Sequence, residues 1–235
     1  MLNAAMAGVR RASAKTTLIH DGANPTAINV VLDGFACCSK ILPSGRRSIT
    51  AFLVPGDLFG LCVVAPARID YTVTTLTATT IAEIPQDVVS NLLARPRLAQ
   101  ALWWSMLVDA AIMQAWLVSM GQRRAREQLA HLFCELYYRL KIVGLCKGRT
   151  YPLPVTHEEL ADALGMTSVH ISRTLQRLRD DSLAELKDKV VHIHDLDRLQ
   201  KLAQFNANYL HMKMPVNGNK RTAMLADSKS EGDIS

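Results

Sequence analysis

The residues of this 235-residue chain that could do chemistry are concentrated in residues 156–179. Thr156 and Glu159 have the spacing of a capping box, which predicts that a helix begins there. Gly165 ends that helix in a tight turn, because glycine readily adopts a positive φ angle. Thr167 can cap a second helix. The stretch therefore predicts two short helices joined by a turn, which is the pattern of a helix-turn-helix.

The second helix of this motif carries side chains that could read DNA. Its apolar residues are spaced by four and three, which predicts a buried face made of Ile171, Leu175 and Leu178. The opposite side, near the start of the helix, exposes Ser168, Val169, His170, Ser172 and Arg173. In a helix-turn-helix such residues enter the major groove, where an arginine can donate two hydrogen bonds to guanine.

Two strand-like runs follow the helices and predict a β-hairpin. They are Leu183–Leu186 and Val190–Ile193, and they flank Lys187-Asp188-Lys189. The two lysines could reach backbone phosphates, so the hairpin makes the motif winged. Ordinary packing of two charged helices is the alternative. The combination of cap, glycine turn, apolar spacing and wing argues against it.

The region that precedes these helices is typical of a β-structure. Residues 16–90 contain short runs rich in Val, Ile, Thr and Phe, broken by turn residues, which favours a small antiparallel barrel or roll. The expected strands are Ile28–Leu32, Phe35–Leu42, Ser48–Leu53, Tyr71–Ala78 and Thr80–Ile84. We expect helices over about residues 97–121 and 126–143, and then a linker marked by Pro152 and Pro154.

The helix of residues 97–121 is apolar enough to resemble a membrane span. However, Asp109 lies near its middle, where a charge is costly in a membrane. Its apolar side chains recur at heptad spacing, which predicts a seam with the same helix of a second chain. The seam consists of Trp103, Met106, Ala110, Met113, Leu117 and Met120. We therefore expect a dimerisation helix that is buried on several sides, that Gly121 ends, and that does not enter a membrane.

Composition restricts the class of protein. The net charge is +6, from 27 Lys and Arg against 21 Asp and Glu, and most of the excess lies in residues 121–213, which permits a nucleic-acid partner. Five cysteines without a C-x-x-C pair disfavour a disulfide scaffold or a four-cysteine zinc site. A cupin-type metal enzyme is the alternative for a β-roll, but His20 is the only histidine before residue 131. We therefore expect no enzyme activity and no metal site.

The two ends of the chain also carry expectations. The first residues contain Arg10-Arg11 but lack the apolar stretch of a secretory or twin-arginine signal, so we expect a cytoplasmic protein. Residues 214–235 are polar and contain glycine, serine and lysine, so we expect a disordered tail.

Over roughly residues 18–205 the chain resembles the Crp/Fnr (cyclic-AMP receptor/fumarate-nitrate regulator) family of bacterial transcription factors. Besides the long helix and the helix-turn-helix, the likeness includes Val31–Ala36, Gly45–Arg47, Pro55–Asp57 and Gly60. It implies an α+β protein with a cyclic-nucleotide-binding-like β-roll as sensory domain (1–96), a dimerisation helix (97–121), a winged helix-turn-helix DNA-binding domain (122–213) and the tail (214–235). Family members usually have a further helix and strand before the position of Thr16, so we expect an incomplete roll or a start codon assigned too late.

The resemblance also implies a function and a set of contacts. The protein would be a homodimer that binds a palindromic promoter site in double-stranded DNA and contacts RNA polymerase. Base contacts would come from Ser168, Val169, Ser172 and Arg173. Phosphate contacts would come from Thr156, His157, Thr167, His170, Lys187 and Lys189, and we add Arg177 because it lies one turn beyond Arg173. Many members have a glutamate at the position of Val169. Valine offers only an apolar contact, for example to a thymine methyl group, so we expect a different half-site.

The sensory pocket departs from that of cyclic-AMP binders. They carry a glutamate and an Arg-Ser pair where this chain, aligned on residues 82–84, has Leu61, Ile69 and Asp70. Arg68 lies one residue away, which on a strand places it on the opposite face. We therefore do not expect cyclic AMP as the effector, although an alignment shifted by one residue would restore Arg68. A cyclic-nucleotide-binding module whose output is not DNA binding is the alternative function.

Other cofactors of such regulators also lack ligands. An iron–sulfur cluster needs thiolates gathered in space, whereas Cys37 and Cys38 should project to opposite faces of one strand. A haem would need an axial ligand, for which His20 is the candidate histidine in the roll. We therefore expect no iron–sulfur cluster, and the effector stays unidentified.

Overall fold

The computed structural model describes residues 8–65 and 67–212, and the tail predicted for residues 214–235 lies outside them. The strands are β1 (Gly8–Ala12), β2 (Thr17–Ile19), β3 (Ala27–Asp33), β4 (Ala36–Ile41), β5 (Arg47–Leu53), β6 (Leu58–Phe59), β7 (Thr72–Thr75), β8 (Thr79–Pro85), β9 (Thr150–Pro152), β10 (Ala184–Lys187) and β11 (Val190–Ile193). The helices are α1 (Gln86–Leu93), α2 (Pro96–Gln122), α3 (Ala125–Ile142), α4 (His157–Leu164), α5 (Ser168–Asp180) and α6 (Leu196–Ala203). Short 3-10 helices occupy Leu61–Val64 and Ala207–Leu210.

The first half of the chain is an antiparallel roll of two four-stranded sheets, as the sequence predicted. One sheet has the strand order β1-β8-β3-β6 and the other has the order β2-β7-β4-β5. Because alternate residues of a strand point to opposite faces, each sheet contributes one apolar face to the interior. The interior includes Val31, Cys38, Phe59, Val73 and Ile81. The five strands expected from the sequence are all present, with slightly different ends.

The start of the roll differs from the prediction. β1 pairs with β8 along Gly8–Ala12, so the β-region begins before residue 16, and a strand does precede Thr16. The sequence gives little sign of it, because only Ala12 of this strand is buried and no apolar alternation results. The side chain of Arg10 forms an ion pair with Glu83 at 2.6 Å across the two strands.

A helix that the sequence analysis missed closes the roll. α1 packs Val89 and Leu92 against Ile28 and Ile84 of the roll. The three- and four-residue spacing of its apolar side chains was the available signal. α1 leads directly into α2, so the roll and the long helix are joined by a very short connection.

α2 is 27 residues long and begins at Pro96, a residue well suited to the first helical position. The prediction that Gly121 ends this helix is wrong. The helix continues to Gln122, and Arg123 is the first extended residue, with φ −90° and ψ 143°. By length and composition α2 could cross a membrane, and only 11% of its most apolar window is buried within the chain. The expectation of burial on several sides is therefore wrong for the single chain.

One side of α2 packs against its own chain and the other carries an exposed apolar stripe. Ile112, Trp116 and Ser119 are the buried residues, and the Trp116 ring lies edge-on to Phe52 at 6.0 Å. Among the predicted seam residues, Ala110 is half-buried and the others are exposed: Trp103, Met106, Met113, Leu117 and Met120. Exposed Leu107 and Val118 widen the stripe.

The second half of the chain combines α3–α6 with a three-stranded sheet of order β10-β11-β9. The predicted linker around Pro152 is wrong, because β9 pairs with β11 and belongs to this sheet. Tyr151 and Leu153 are fully buried there, and the Tyr151 hydroxyl donates a hydrogen bond to the carbonyl of Phe133 at 2.8 Å. The hairpin is present, but its first strand begins at Ala184 instead of Leu183.

Candidate nucleic-acid interface

The helix-turn-helix is built by the local signals that the sequence contains. The Thr156 hydroxyl accepts a hydrogen bond from the Glu159 N–H at 3.1 Å, and a Glu159 carboxylate oxygen accepts one from the Thr156 N–H at 2.8 Å. Gly165 ends α4 with φ 66°, a left-handed conformation that suits glycine. The Thr167 hydroxyl accepts a hydrogen bond from the His170 N–H at 3.2 Å, so α5 begins where predicted.

The two faces of α5 are as different as its apolar spacing predicted. Ile171 and Leu178 are fully buried, and Leu175 is 9% exposed. Thr174 is also buried, and its hydroxyl donates a hydrogen bond to the carbonyl of His170 at 2.8 Å. The packing of this face against α3 and α4 leaves the start of the helix open on its other side.

All four residues predicted to contact bases lie together on the exposed side of α5: Ser168, Val169, Ser172 and Arg173. Val169 is 58% exposed, so its methyl groups are open to a partner. Arg173 makes no salt bridge with any described residue. The Ser172 hydroxyl lies 2.9 Å from Nδ1 of His157 and donates a hydrogen bond to the Ser168 carbonyl at 3.0 Å. The contact between Ser172 and His157 joins the starts of α4 and α5 into one polar surface.

The residues predicted to contact phosphates lie at the starts of α4 and α5, further along α5, and in the wing. All seven are exposed: Thr156, His157, Thr167, His170, Arg177, Lys187 and Lys189. Asp188 and Lys189 both have positive φ angles, of 51° and 62°, as in the tight two-residue turns that connect hairpin strands. The turn places the two lysines at the tip of the wing.

A basic cleft beside α5 was not predicted as part of the site. It has a volume of about 380 Å³ and lies between the start of α3 and α5. Its charged and polar lining is Arg124, Arg126, Glu127, His170, Thr174 and Arg177. Arg126 is paired with Asp181, whereas Arg124 makes no salt bridge with any described residue. Arg123, Arg124 and Arg126 stand close together in the sequence, but only the tertiary fold brings Arg124 and Arg126 next to Arg177.

Ion pairs hold the helix-turn-helix against the roll of the same chain. Lys15 pairs with Glu159, and Arg47 of β5 pairs with Asp162 of α4 at 2.7 Å. On α3, Arg139 donates to the Phe52 carbonyl at 2.9 Å and pairs with Asp57 in the Pro55-Gly56-Asp57 turn. The roll therefore contacts both α4, the first helix of the motif, and α3.

The residues aligned with the ligand-binding positions of cyclic-AMP receptors differ from one another in their surroundings. Ile69 is buried, and Asp70 pairs with Lys40 at 3.0 Å. Arg68 is exposed and donates a hydrogen bond to the Gly22 carbonyl at 3.4 Å. The Tyr71 side chain packs in the roll interior, where its phenol oxygen accepts a hydrogen bond from the Gly60 N–H at 3.2 Å.

Cys37 and Cys38 project to opposite sides of β4, as predicted. Cys38 lies in the roll interior, whereas Cys37 belongs to the core that the roll shares with α3, α4 and α5. Burial raises the pKa of the Cys37 thiol to about 11, and this thiol lies apart from that of Cys38, in a different core. Among residues 8–65 and 67–212, no group of three or more His, Cys, Asp or Glu side chains could hold a metal ion. His20 is exposed.

Two family models match separate parts of the chain. A cyclic nucleotide-binding domain model matches residues 9–96, and a Crp-like helix-turn-helix domain model matches residues 127–202. The first match covers the roll and α1, and the second runs from α3 to α6.

Curated relatives and solved structures agree with these matches. The chain is 28% identical over 186 residues to the transcriptional activator protein FnrL of Cereibacter sphaeroides, covering 77% of this chain and 73% of that protein. It is 28% identical over 181 residues to the nitrogen fixation regulation protein FixK of Bradyrhizobium diazoefficiens, covering 76% and 74%. Its fold is similar to that of FixK2 from Bradyrhizobium japonicum, with a TM-score of 0.76 and 20% identity over 85% of this chain and 98% of that one.

We predict that Glu159→Gln destabilises the protein in a pH-dependent way. Burial raises the pKa of Glu159, but hydrogen bonds from Lys15 and Thr156 lower it by more, so it lies below the ordinary value of 4.5. A carboxylate of this kind stabilises the folded state above its unfolded pKa, and this stabilisation is lost as the pH falls through the folded pKa. We expect the substitution to cost about 1 kcal/mol of unfolding free energy at neutral pH.

The measurement is urea unfolding of wild type and variant at pH 7 and at about pH 3, since unfolded glutamate titrates near pH 4.3. The difference should shrink at the lower pH. Glu158→Gln is the matched control, because Glu158 is the exposed neighbour in the same helical turn. An equal loss at both pH values, or no loss at pH 7, would contradict the prediction.

Proposed function

Because this chain belongs to the Crp/Fnr family of DNA-binding transcription regulators, we propose that it acts as a homodimer on a palindromic promoter site. The observation that carries this proposal is the open face of α5. Four residues suited to base contact are exposed there, and exposed basic residues surround them. A surface that combines a readable helix with flanking positive charge suits duplex DNA.

The side chains on α5 suggest how the duplex is read. The exposed guanidinium of Arg173 can donate two hydrogen bonds to O6 and N7 of a guanine. Exposed Val169 offers a methyl surface that suits the 5-methyl group of thymine. Ser168 and Ser172 can donate or accept and therefore add little selectivity by themselves.

Phosphate contacts would position the helix in the groove. The exposed residues suited to phosphate contact lie at the starts of α4 and α5, at Arg177 and in the wing. The basic cleft with Arg124 and Arg177 extends this surface beyond α5. Such contacts carry no sequence information, but they fix the register of the protein on the duplex.

The apolar stripe of α2 supports the dimer. An exposed stripe of Trp, Met and Leu side chains along a helix of about 40 Å is costly in water, and heptad spacing allows a second copy to cover it. The opposite side of α2 already packs on its own chain, where Trp116 contacts Phe52 of the roll and Glu135 of α3, so the stripe is the side left for a partner helix. In this arrangement the α5 helices of the two protomers would lie about one DNA turn apart, roughly 34 Å.

The effector is left open in this proposal, and it includes neither a cyclic nucleotide nor an iron–sulfur cluster. A cyclic phosphate beside Asp70, without a paired arginine facing it, would be disfavoured. The residues of this roll therefore do not fit a cyclic nucleotide, and buried Cys37 and Cys38 do not fit a cluster. A signal in the roll would reach the DNA-binding domain through the ion pairs of Arg47 and Arg139.

The remaining parts of the proposal follow from the class of protein. Several curated relatives are named activators, and an activator bound at a promoter must meet RNA polymerase, so polymerase is included as a partner. The curated relatives are transcription regulators, not enzymes, and the proposal gives this chain no catalytic role. Its site of action is the cytoplasm, where bacterial DNA is found.

We predict that Arg173→Ala reduces sequence-specific affinity and leaves nonspecific affinity nearly unchanged. The half-site would first be identified by selecting bound duplexes from a random pool. In a titration with the selected site, loss of a bidentate guanine contact should weaken binding about 5-fold to 150-fold. Arg179→Ala is the matched control, because Arg179 faces Glu185 at 3.5 Å on the side of the wing.

The salt dependence of binding belongs to the same titration. Affinity should fall linearly with salt on logarithmic axes, because phosphate contacts release counterions. Unchanged specific affinity of Arg173→Ala, or binding that does not depend on salt, would count against the proposed reading of DNA.

We predict that Leu117→Glu converts the protein to a monomer. Leu117 is 69% exposed in the single chain and lies in the predicted seam, so a dimer of the variant would bury two charges. The dimer dissociation constant should rise by at least about a hundredfold. Sedimentation equilibrium measures it, with Leu42→Glu as control, because Leu42 is 49% exposed on the roll. The seam is wrong if the Leu117 variant stays dimeric.

A further inference from the structure

The last described residues leave the DNA-binding domain and return to the long helix. After α6 the chain turns at Gln204, which has a positive φ angle of 47°. The segment of residues 204–212, which we call the C-terminal strap, then crosses α3 and reaches α2. Leu210 of the strap is buried, and the His211 ring packs edge-on against Trp104 of α2 at 5.4 Å. The strap therefore adds a second connection between the DNA-binding domain and α2, besides the short link at Arg123.

Aromatic rings hold the strap on α3. Phe205 stacks on Tyr138 with ring centres 5.5 Å apart, and Tyr209 stacks on His131 at 5.9 Å. Burial, together with the nearby charge of Arg123, lowers the pKa of His131 to about 4, so the ring is neutral at pH 7. A neutral ring suits this apolar stack, because no charge has to be desolvated.

A fully buried carboxylate links the strap to α2. Glu135 of α3 has no exposed surface. One of its oxygens accepts hydrogen bonds from the Trp116 indole N–H and the Tyr209 hydroxyl, both at 3.0 Å. The other oxygen lies 3.2 Å from the Arg139 guanidinium, which also forms an ion pair with Asp57 in the roll. Glu135 is thus the point at which α2, the strap and the roll meet.

These contacts oppose rotation of the DNA-binding domain about the link between α2 and α3. Rotation would pull Glu135 away from Trp116 and leave a buried charge with fewer donors, which is costly. The link itself is also tied to the end of α6, just before the strap, because Arg123 Nε donates to the Ala203 carbonyl at 2.9 Å. Orientation of the domain therefore depends on residues that lie away from the DNA-contacting face.

We propose that Tyr209 and Glu135 are positioning residues: through them the C-terminal strap fixes the angle between the DNA-binding domain and α2, and so sets the half-site spacing that the dimer prefers. The inference rests on the proposed function, since a preferred spacing requires a dimer on a palindrome. Neither residue would touch DNA.

The test measures affinity for duplexes in which two inverted copies of the selected half-site are separated by spacers that increase by one base pair. Tyr209→Phe keeps the stack on His131 and removes only the hydroxyl that Glu135 binds. The preference of the full-length variant for the best spacing over its neighbours should fall about threefold to tenfold, as expected for the net contribution of one typical intramolecular hydrogen bond. A flatter profile is the signature of a less restricted angle.

Tyr137→Phe is the matched control, because Tyr137 is a buried tyrosine of α3 whose hydroxyl makes no hydrogen bond to a described residue. Its spacing profile should equal that of wild type. Thermal unfolding of each variant shows that it is folded, and Glu135→Gln gives a second test, because an amide cannot accept from all three donors.

The outcomes separate the strap from the proposed function. A flatter profile for Tyr209→Phe and Glu135→Gln, with Tyr137→Phe unchanged, supports the proposal. Wild-type spacing preference retained in the Tyr209 variant, or affinity reduced equally at every spacing, overturns it and leaves the proposed function intact. If wild type itself binds all spacings equally, the homodimer on a palindrome is wrong, and the strap proposal is wrong with it.

Discussion

The structure depends on one constraint: α5 can present a polar face to DNA only while its apolar face stays buried. Ile171 and Leu178 are fully enclosed by the core beneath them, so the helix cannot roll without exposing leucine and isoleucine to water. Thr167 and Gly165 fix where the helix begins. Because the roll, α3 and α4 share the same core, the position of α5 is also tied to the roll.

The parts of the fold that could be predicted are those with a local signal. The cap at Thr156, the turn at Gly165 and the spacing of the leucines in α5 all lie within one short stretch, and each has one simple physical meaning. The family resemblance then supplied the order of roll, long helix and winged motif. For α2 the heptad spacing correctly indicated an apolar stripe, but it could not show how little of the helix is buried by its own chain.

The parts that were missed depend on contacts between distant residues. β1 is a strand only because β8 lies beside it, and Tyr151 is buried only because α3 and β11 enclose it. In the site, Arg124 was missed for the same reason: it lies beside α5 only because α3 packs against α5 in the folded chain. The roles of Glu135 and Tyr209 could not be predicted from the sequence either, because the residues that donate hydrogen bonds to Glu135 are distant from it along the chain.

Methylation interference on the selected palindrome tests the central claim most directly, because a methyl group on guanine N7 lies in the major groove. We predict that duplexes methylated at a guanine in either half-site are excluded from the complex with the full-length protein, and that the two positions lie on the same face of the DNA, about one turn apart. If methylated duplexes bind as well as unmodified ones, α5 does not read the major groove, and base recognition by Arg173 is wrong.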